Sequence, residues 1–306
     1  MSKPSPAGCR RLDAVLLLDK PVGLSSNAAL QAVKRLFRAA KAGHAGTLDP
    51  LASGMLPVLF GDATKFAHLV LDADKEYLAT IKLGETTSTA DAEGEVLERR
   101  PVKVDDRQIE VALARFRGSI EQTPPMHSAL KRQGKPLYLL AREGKEVERR
   151  PRSVQIKLLE LLERRDEQLD VRVRCSKGTY VRTLAQDIGA VLGSGAHLQA
   201  LRRGTAGGFS LAEATTLNAL EQMSPVERDA CLIPIERLLG GLPRIELQPD
   251  AERRFRNGQS VPHPGRETGV CAVFRAGNGL IGLGELAAAG ELKPLRLTLA
   301  PAQAAE

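Results

Sequence analysis

The sequence predicts an α+β fold in which one large mixed domain is followed by a small β-rich domain. The 306 residues are enough for one large domain and a small one. Alternating apolar residues at 154–158 and 169–175 predict an antiparallel strand pair in the first part. After Gly240-Gly241-Leu242-Pro243, short strands separated by glycine and proline predict a small β domain that reaches about Leu299.

The first elements follow from apolar spacing and turn residues. A short apolar strand runs from Asp13 to Leu18, after a tail over residues 1–12. Ser26 is a favoured N-cap for a helix over about 27–41, whose apolar residues recur at helical spacing. Gly43 is expected to end that helix.

The same reasoning orders the later elements. They are a helix at 62–71, a strand at 76–83 with Tyr77 on its apolar face, a helix at 105–118, the strand pair, a helix after Arg182 with Leu184, Ile188 and Val191 inward, a second short helix ending near Arg203, a strand at 207–209 and a helical region to about Leu239.

Composition restricts the class of protein. No apolar run approaches the roughly 18 residues that span a bilayer, and Leu16-Leu17-Leu18 is too short for a signal-peptide core, so a cytoplasmic protein without membrane contact is expected. The four cysteines form no C-x-x-C pair and the five histidines are scattered, so no metal site is predicted. No nucleotide-binding motif implies a cofactor.

The charge balance favours a nucleic-acid partner. The net charge is +7 and the isoelectric point is about 9.4, a balance that attracts a polyanion. Aromatic residues make up only 3%, with no Trp, which argues against a platform that stacks successive bases. We therefore expect contacts to phosphates and to nucleic-acid shape.

Residues 122–152 differ from the rest of the chain. They combine turn residues with eight cations: Lys131, Arg132, Lys135, Arg142, Lys145, Arg149, Arg150 and Arg152. Two interpretations stand, a solvated insertion or an arm that closes over phosphates.

The stretch from Gly43 to Pro57 concentrates glycine and proline around Asp49. Such density predicts a loop with one fixed shape. Asp49 is either a reacting group or a residue that caps a turn. Tyr77 and Arg182 are candidates to converge with it, since a guanidinium lowers the pKa of a buried carboxylate and keeps it ionised for nucleophilic attack. The alternatives are a core Tyr77 and a surface Arg182. From the residues alone, the chain is a cytosolic nucleic-acid-binding protein with a candidate Asp nucleophile.

Five segments occur in an order that resembles the TruB family of bacterial tRNA pseudouridine-55 synthases. The resemblance covers nearly the whole chain, and its segments are Lys20 to Asn27, Gly43 to Leu56, Lys75-Glu76-Tyr77, Ser176 to Leu184, and Gly195-Ala196-His197-Leu198 with Leu201-Arg202-Arg203. Two departures are His127, where family members often carry Tyr, and Ser194, where Cys is common. Neither is expected to touch the chemistry.

The resemblance implies a domain plan. It implies a catalytic domain over 13–240, with a mixed, largely antiparallel central sheet flanked by helices. Residues 122–151 resemble the family's tRNA-clasping insertion, and residues 244–300 a PUA RNA-binding domain. Residues 1–12 and 301–306 are tails.

The resemblance also implies a reaction. Asp49 matches the catalytic aspartate, Tyr77 the tyrosine that packs on the flipped base, and Arg182 the arginine paired with the aspartate. The implied enzyme isomerises uridine 55 in the T loop of tRNA by cleaving the N1–C1′ bond, rotating the base and rejoining it through C5, with no cofactor and no metal.

Four further residues match substrate-binding positions of the family: His44, Tyr180, Leu201 and Lys20. His44 matches the histidine that displaces the target by stacking in the opened T loop, and Lys20, with Pro21, supports the pocket floor. The implied partner is tRNA, through its T arm and acceptor region. No protein partner is implied, and a monomer is expected.

Two other functions are weighed against this one. A guide-RNA-dependent relative that modifies ribosomal RNA fits less well, because such relatives look different at 122–151. A tRNA-folding chaperone that acts without catalysis would have no use for Asp49 and Arg182.

Overall fold

The computed structural model of the protein describes residues 8–299, apart from 129, 133, 146, 266, 278 and 289. The predicted tail 301–306, and residues 1–7 of the predicted tail 1–12, lie outside the described residues. So do the side chains of four arm cations: Lys131, Arg132, Lys135 and Arg142.

The strands of the first part precede residue 240. They are β1 (Ala14–Lys20), β2 (Ala42–His44), β3 (Ala52–Phe60), β4 (Lys75–Leu83), β5 (Glu85–Thr87), β6 (Val96–Arg99), β7 (Gly118–Gln122), β8 (Lys131–Arg132), β9 (Lys135–Pro136), β10 (Arg152–Arg165), β11 (Gln168–Cys175), β12 (Ala196–Ala206), β13 (Phe209–Ser210), β14 (Thr215–Thr216) and β15 (Leu232–Pro234).

Eleven of these strands form one sheet among the described residues, in the order β14-β1-β3-β12-β4-β11-β10-β7, with β2 beside β3, β13 beside β12 and β15 beside β1. Only the β1–β14 and β3–β12 pairings are parallel. This confirms the mixed, largely antiparallel sheet, including the β10–β11 pair.

The helices of the described residues are α1 (Ser26–Leu36), α2 (Ala67–Asp72), α3 (Asp106–Ala114), α4 (Leu137–Arg142), α5 (Val181–Leu192), α6 (Leu217–Gln222), α7 (Pro225–Ala230) and α8 (Pro249–Arg256), with 3₁₀ turns at Gly61–Phe66, Leu211–Glu213 and Ile235–Leu239. They cover both faces of this sheet, except α4, which contacts β9, and α8, which belongs to the unit after residue 243. Because side chains alternate along a strand, Leu16 and Leu18 of β1 pack with α1, whereas Val15 and Leu17 face the opposite cluster. No helix within the described ranges is long and apolar enough to cross a membrane.

A second, five-stranded sheet follows residue 243, which confirms the small β-rich, PUA-like unit. Its strands are β16 (Arg244–Leu247), β17 (Val261–Pro262), β18 (Gly269–Arg275), β19 (Leu280–Ala287) and β20 (Glu291–Leu297), in the order β16-β18-β19-β20-β17. The unit packs on the first part through one apolar cluster, in which Phe274 and Leu283 join Val15, Leu17 and Met55.

Three predictions about the first helix are wrong. Helix α1 spans only Ser26–Leu36, and its N-cap is Ser25, whose hydroxyl accepts a hydrogen bond from the Ala28 amide. The Ser26 hydroxyl does not cap the helix, because it makes two hydrogen bonds with the backbone of Leu48. Gly43 lies in β2 and ends no helix.

The predicted short helix that ends near Arg203 is part of strand β12. Its register with β4 shifts at 198/200 and again at 203/205, so apolar residues do not alternate regularly and the pattern resembles a helix. Burial between β3 and β4 determines the structure instead. Val191 of α5 is 42% exposed rather than inward.

Candidate active site

The Asp49 segment, residues 43–57, comprises the end of β2, a loop at 45–51 and the start of β3. It has the fixed shape that its composition predicts. The buried Ser26 hydroxyl accepts a hydrogen bond from the Leu48 amide at 2.7 Å and donates one to the Leu48 carbonyl at 2.8 Å. The Asp49 carbonyl accepts a hydrogen bond from the Ala52 amide, and the Pro50 carbonyl one from the Gly23 amide. The backbone on both sides of the Asp49 side chain is therefore held by residues outside the loop's own turn.

Arg182 lies against Asp49. One Nη2–Oδ2 distance joins them at 2.7 Å, and the Arg182 side chain is 7% exposed. The other terminal nitrogen is 3.2 Å from a carboxylate oxygen of Asp91, and Nη2 also donates to the His127 carbonyl at 2.9 Å. The Arg182 guanidinium, at the start of α5, is therefore held by two carboxylates and one carbonyl.

The pKa of Asp49 is raised above its ordinary value. Burial in the cleft is the largest cause, and the negative charge of Asp91 adds to it, while Arg182 and Lys20 oppose it. Arg182 lowers this pKa, as the residue types predict, but burial outweighs its effect and the net shift is upward. The Asp49 side chain keeps 43% of its surface exposed to the cleft, so the upward shift of the pKa follows from a partial rather than a complete loss of water around the carboxylate.

Tyr77 projects from β4 into the same cleft. Burial raises the pKa of its phenol, and the neighbouring Arg203 guanidinium only partly opposes this. The phenol is therefore protonated at neutral pH and is a hydrogen-bond donor.

One cleft of about 620 Å³ brings together five of the seven predicted site residues. They are Asp49 from the loop before β3, Tyr77 from β4, Leu201 from β12, and Tyr180 and Arg182 from the start of α5. The cleft is wide enough for a nucleotide base and opens to solvent.

Lys20 does not line the cleft. It is fully buried, and its ammonium donates to the Pro21 carbonyl at 2.7 Å and the Leu24 carbonyl at 2.6 Å. Burial lowers the pKa of Lys20 to about 8, against the attraction of Asp49. The residue braces the turn before α1 and places positive charge beneath the site.

His44 also lies beside the cleft rather than on its wall. Burial, followed by the charge of Arg203, lowers the pKa of its imidazole, so the ring is neutral at neutral pH. Within the described part of the chain, its Nδ1 is buried without a hydrogen-bond partner. A neutral flat ring at this position suits stacking better than charge pairing.

Four residues of the site were missed in the sequence. Asp91 comes from a polar loop with no local sign of burial, yet its side chain is 3% exposed. The Gln122 side chain bonds both the amide and the carbonyl of Tyr180. Lys75 donates to three carbonyls. Arg203 was assigned to a helix, but it is a buried strand residue.

His127, one of the two departures from the family pattern, lies beside the site. Its main-chain carbonyl, which any residue would supply, accepts a hydrogen bond from Arg182 Nη2. Ser194 is buried and donates to the Gly195 carbonyl.

No group of three or more His, Cys, Asp or Glu able to hold a metal ion occurs within the described residues.

Three family models match the chain in succession. Residues 34–181 match "TruB family pseudouridylate synthase (N terminal domain)", residues 182–240 "tRNA pseudouridylate synthase B C-terminal domain", and residues 243–298 "Pseudouridine synthase II TruB, C-terminal".

Relatives match over nearly their full length. The tRNA pseudouridine synthase B of Azoarcus sp. (strain BH72) is 52% identical over 94% of this chain and 95% of its own. The protein of the same name from Aromatoleum aromaticum is 53% identical over 96% of each chain. Among solved structures, a Cbf5–Nop10–Gar1 complex aligns with a TM-score of 0.70 and 27% identity, over 94% of this chain and 84% of the other. The chain therefore belongs to the TruB family of pseudouridine synthases.

Proposed function

We propose that this chain isomerises uridine to pseudouridine in tRNA, at position 55 of the T loop. The observation that carries the proposal is the Asp49 carboxylate in an open cleft, 2.7 Å from the buried Arg182 guanidinium. Relatives about half identical to this chain are named for the tRNA reaction.

In this proposal Asp49 reacts with the target nucleoside, and Arg182 holds the carboxylate in place and favours its ionised form. Tyr77 packs on the base and donates from its protonated phenol. The N1–C1′ bond breaks, the base rotates and a C5–C1′ bond forms. The proton lost from C5 is balanced by the proton gained at N1, so the reaction is an isomerisation that needs no further reagent.

The target base must leave the folded T loop before it can reach Asp49. Extrusion costs a few kcal/mol. His44, as a neutral ring beside the cleft, takes the space that the base vacates, while Tyr180 and Leu201 line the pocket that receives it. Lys20 supports the pocket floor.

The RNA partner follows from the charge of the whole chain. With a net charge of +7, the protein attracts the T arm and the acceptor region of tRNA, the first through the cleft and the arm at 122–151, the second through the unit at 244–300. It acts in the cytoplasm as a monomer. Its binding weakens steeply as salt rises.

The test is to incubate the purified protein with an unmodified tRNA transcript and map pseudouridine. A single product site at position 55 is expected. Product that forms only after a guide RNA is added would assign the chain to the guide-dependent class instead.

Asp49→Asn separates catalysis from chaperoning. The variant is expected to bind tRNA as wild type does and to give no pseudouridine. Wild-type turnover by the variant would remove Asp49 from its proposed role.

A further inference from the structure

Arg203 is the largest side chain that is fully buried, with 1% exposure. Its Nε donates to the Met55 carbonyl at 2.7 Å, and its Nη2 donates to the Gly46 carbonyl at 2.9 Å. A buried guanidinium destabilises the fold unless acceptors satisfy it. Both acceptors of Arg203 belong to the Asp49 segment.

The two carbonyls lie on either side of Asp49 in the chain. Gly46 has a φ of +95°, and a Cβ added there would lie 3.2 Å from Nη1 of Arg203. Gly54, with a φ of +100°, lies still closer to the Arg203 backbone, where an added Cβ would meet the carbonyl oxygen at 2.3 Å. The positive φ favours glycine at both positions, and the Arg203 side chain is bonded to the segment on both sides of Asp49.

Tyr77 is the third group against Arg203. In the β4–β12 register the two residues are direct partners. Both side chains line the cleft with Asp49. The guanidinium is close enough to act on the ionisation of the phenol through charge and hydrogen bonding.

We propose that Arg203 is a positioning residue that sets the Tyr77 phenol relative to the Asp49 carboxylate, by holding the Gly46 and Met55 carbonyls while lying against the Tyr77 side chain. The inference rests on the proposed function. Because Arg203 is almost completely buried, its loss acts on the conversion of bound tRNA rather than on tRNA affinity.

The test variant is Arg203→Lys, which keeps the charge but replaces the two fixed donors Nε and Nη2 of the guanidinium by a single ammonium nitrogen on a flexible stem. Its single-turnover rate is expected to fall by about 100-fold, as for a reacting group displaced by roughly 1 Å, with an unchanged Kd for tRNA. The matched control is Arg202→Lys. Arg202 is the next residue of β12, 43% exposed and paired with Asp19, and its variant is expected to keep the wild-type rate.

A spectroscopic measurement distinguishes positioning from general stability. The sequence contains three tyrosines and no tryptophan, so 3-fluorotyrosine labelling gives a simple ¹⁹F spectrum in which Tyr77→Phe identifies the Tyr77 resonance. Arg203→Lys is expected to move that resonance and leave the Tyr180 resonance in place, whereas Arg202→Lys moves neither.

An Arg203→Lys protein with the wild-type rate, or with a loss due wholly to weaker tRNA binding, overturns the inference. So does an unmoved Tyr77 resonance. If Arg203→Lys does not fold, Gly46→Ala tests the same contact from the loop, with the same expected rate loss and resonance shift; a wild-type rate and spectrum there overturn the inference. Inactivity of the wild-type protein on tRNA would refute the proposed function instead.

Discussion

The cleft and the arm at 122–151 are both rich in positive charge, but the cations differ in what surrounds them. Arg182, Arg203 and Lys20 are buried, and each is bonded to carbonyl or carboxylate oxygens of the protein. Arg150, near the end of the arm, is exposed, and so is Arg152, which begins β10 directly after the arm. Buried cations with protein acceptors fix the shape of the fold, whereas exposed cations are available to phosphates.

Asp91→Asn gives the largest expected effect, because it removes one carboxylate from the buried Arg182. Breaking a buried ion pair lowers the free energy of unfolding by about 3 kcal/mol, and a displaced Arg182 slows turnover by about 100-fold. Urea unfolding and single-turnover assays measure the two effects. Asp170→Asn is the control, since Asp170 pairs with Arg165 at the surface and should change stability by less than about 1 kcal/mol. Equal losses in both variants would contradict the distinction between buried and exposed charge.

Lys75→Met tests a buried cation whose partners are all neutral. Its ammonium donates to the Val70, Leu71 and Ala73 carbonyls at 2.6 to 3.0 Å. Leaving these acceptors unsatisfied lowers the free energy of unfolding by about 1–3 kcal/mol. Lys157→Met, at a lysine 45% exposed and paired with Asp74, should cost less than about 1 kcal/mol. Thermal and urea unfolding compare them, and a larger loss at Lys157 would reverse the conclusion.

Arg150→Ala probes the exposed class. The melting temperature should stay at the wild-type value, while tRNA affinity falls about fivefold and the slope of log K against log salt becomes shallower by about 0.7–0.9. Filter binding over a salt series measures both. Arg99→Ala, an exposed arginine paired with Glu85, serves as the control. If Arg150→Ala lost stability without a change in the salt slope, Arg150 would belong with the buried cations that stabilise the fold.

The smallest expected effect is a gain in thermal stability of Asp49→Asn. The folded pKa of Asp49 is raised, so above the ordinary value of 3.8 the ionised carboxylate is less favourable in the folded chain than in the unfolded one. Asparagine removes that penalty, and the buried Asp91 carboxylate and the His127 carbonyl still satisfy the Arg182 guanidinium, so the melting temperature at pH 7 should rise. The difference should shrink as pH falls towards 3.8 and Asp49 takes up its proton. Calorimetry across this range measures it, and a lower melting temperature at pH 7 would contradict the sign.

The sequence predicted the loop around Asp49 because glycine and proline density is a local signal. It placed Tyr77 on the inward face because alternation along β4 is regular. Arg203 was misassigned because two register shifts interrupt alternation in β12. Asp91 gave no signal, since its burial depends on Arg182 and β12, about a hundred residues further along the chain.

The direction of the Asp49 pKa could not be predicted for a related reason. Residue types indicate that Arg182 attracts the carboxylate and lowers its pKa. The larger, opposite effect is burial by the cleft walls, which assemble from distant segments. Short-range patterns report which groups are present, and only the folded chain determines how much water reaches them.

The apolar cluster that joins the two sheets has a consequence for the time at which activity appears during synthesis. Val15 and Leu17, near the start of the chain, and Met55 of β3 share one apolar cluster with Phe274 and Leu283. A ribosome exposes the early strands long before the last ones, and contacts so distant in sequence form late. The cluster around Met55 is therefore complete only after β18 and β19 have left the ribosome, and we expect tRNA modification to begin only after those strands have been made.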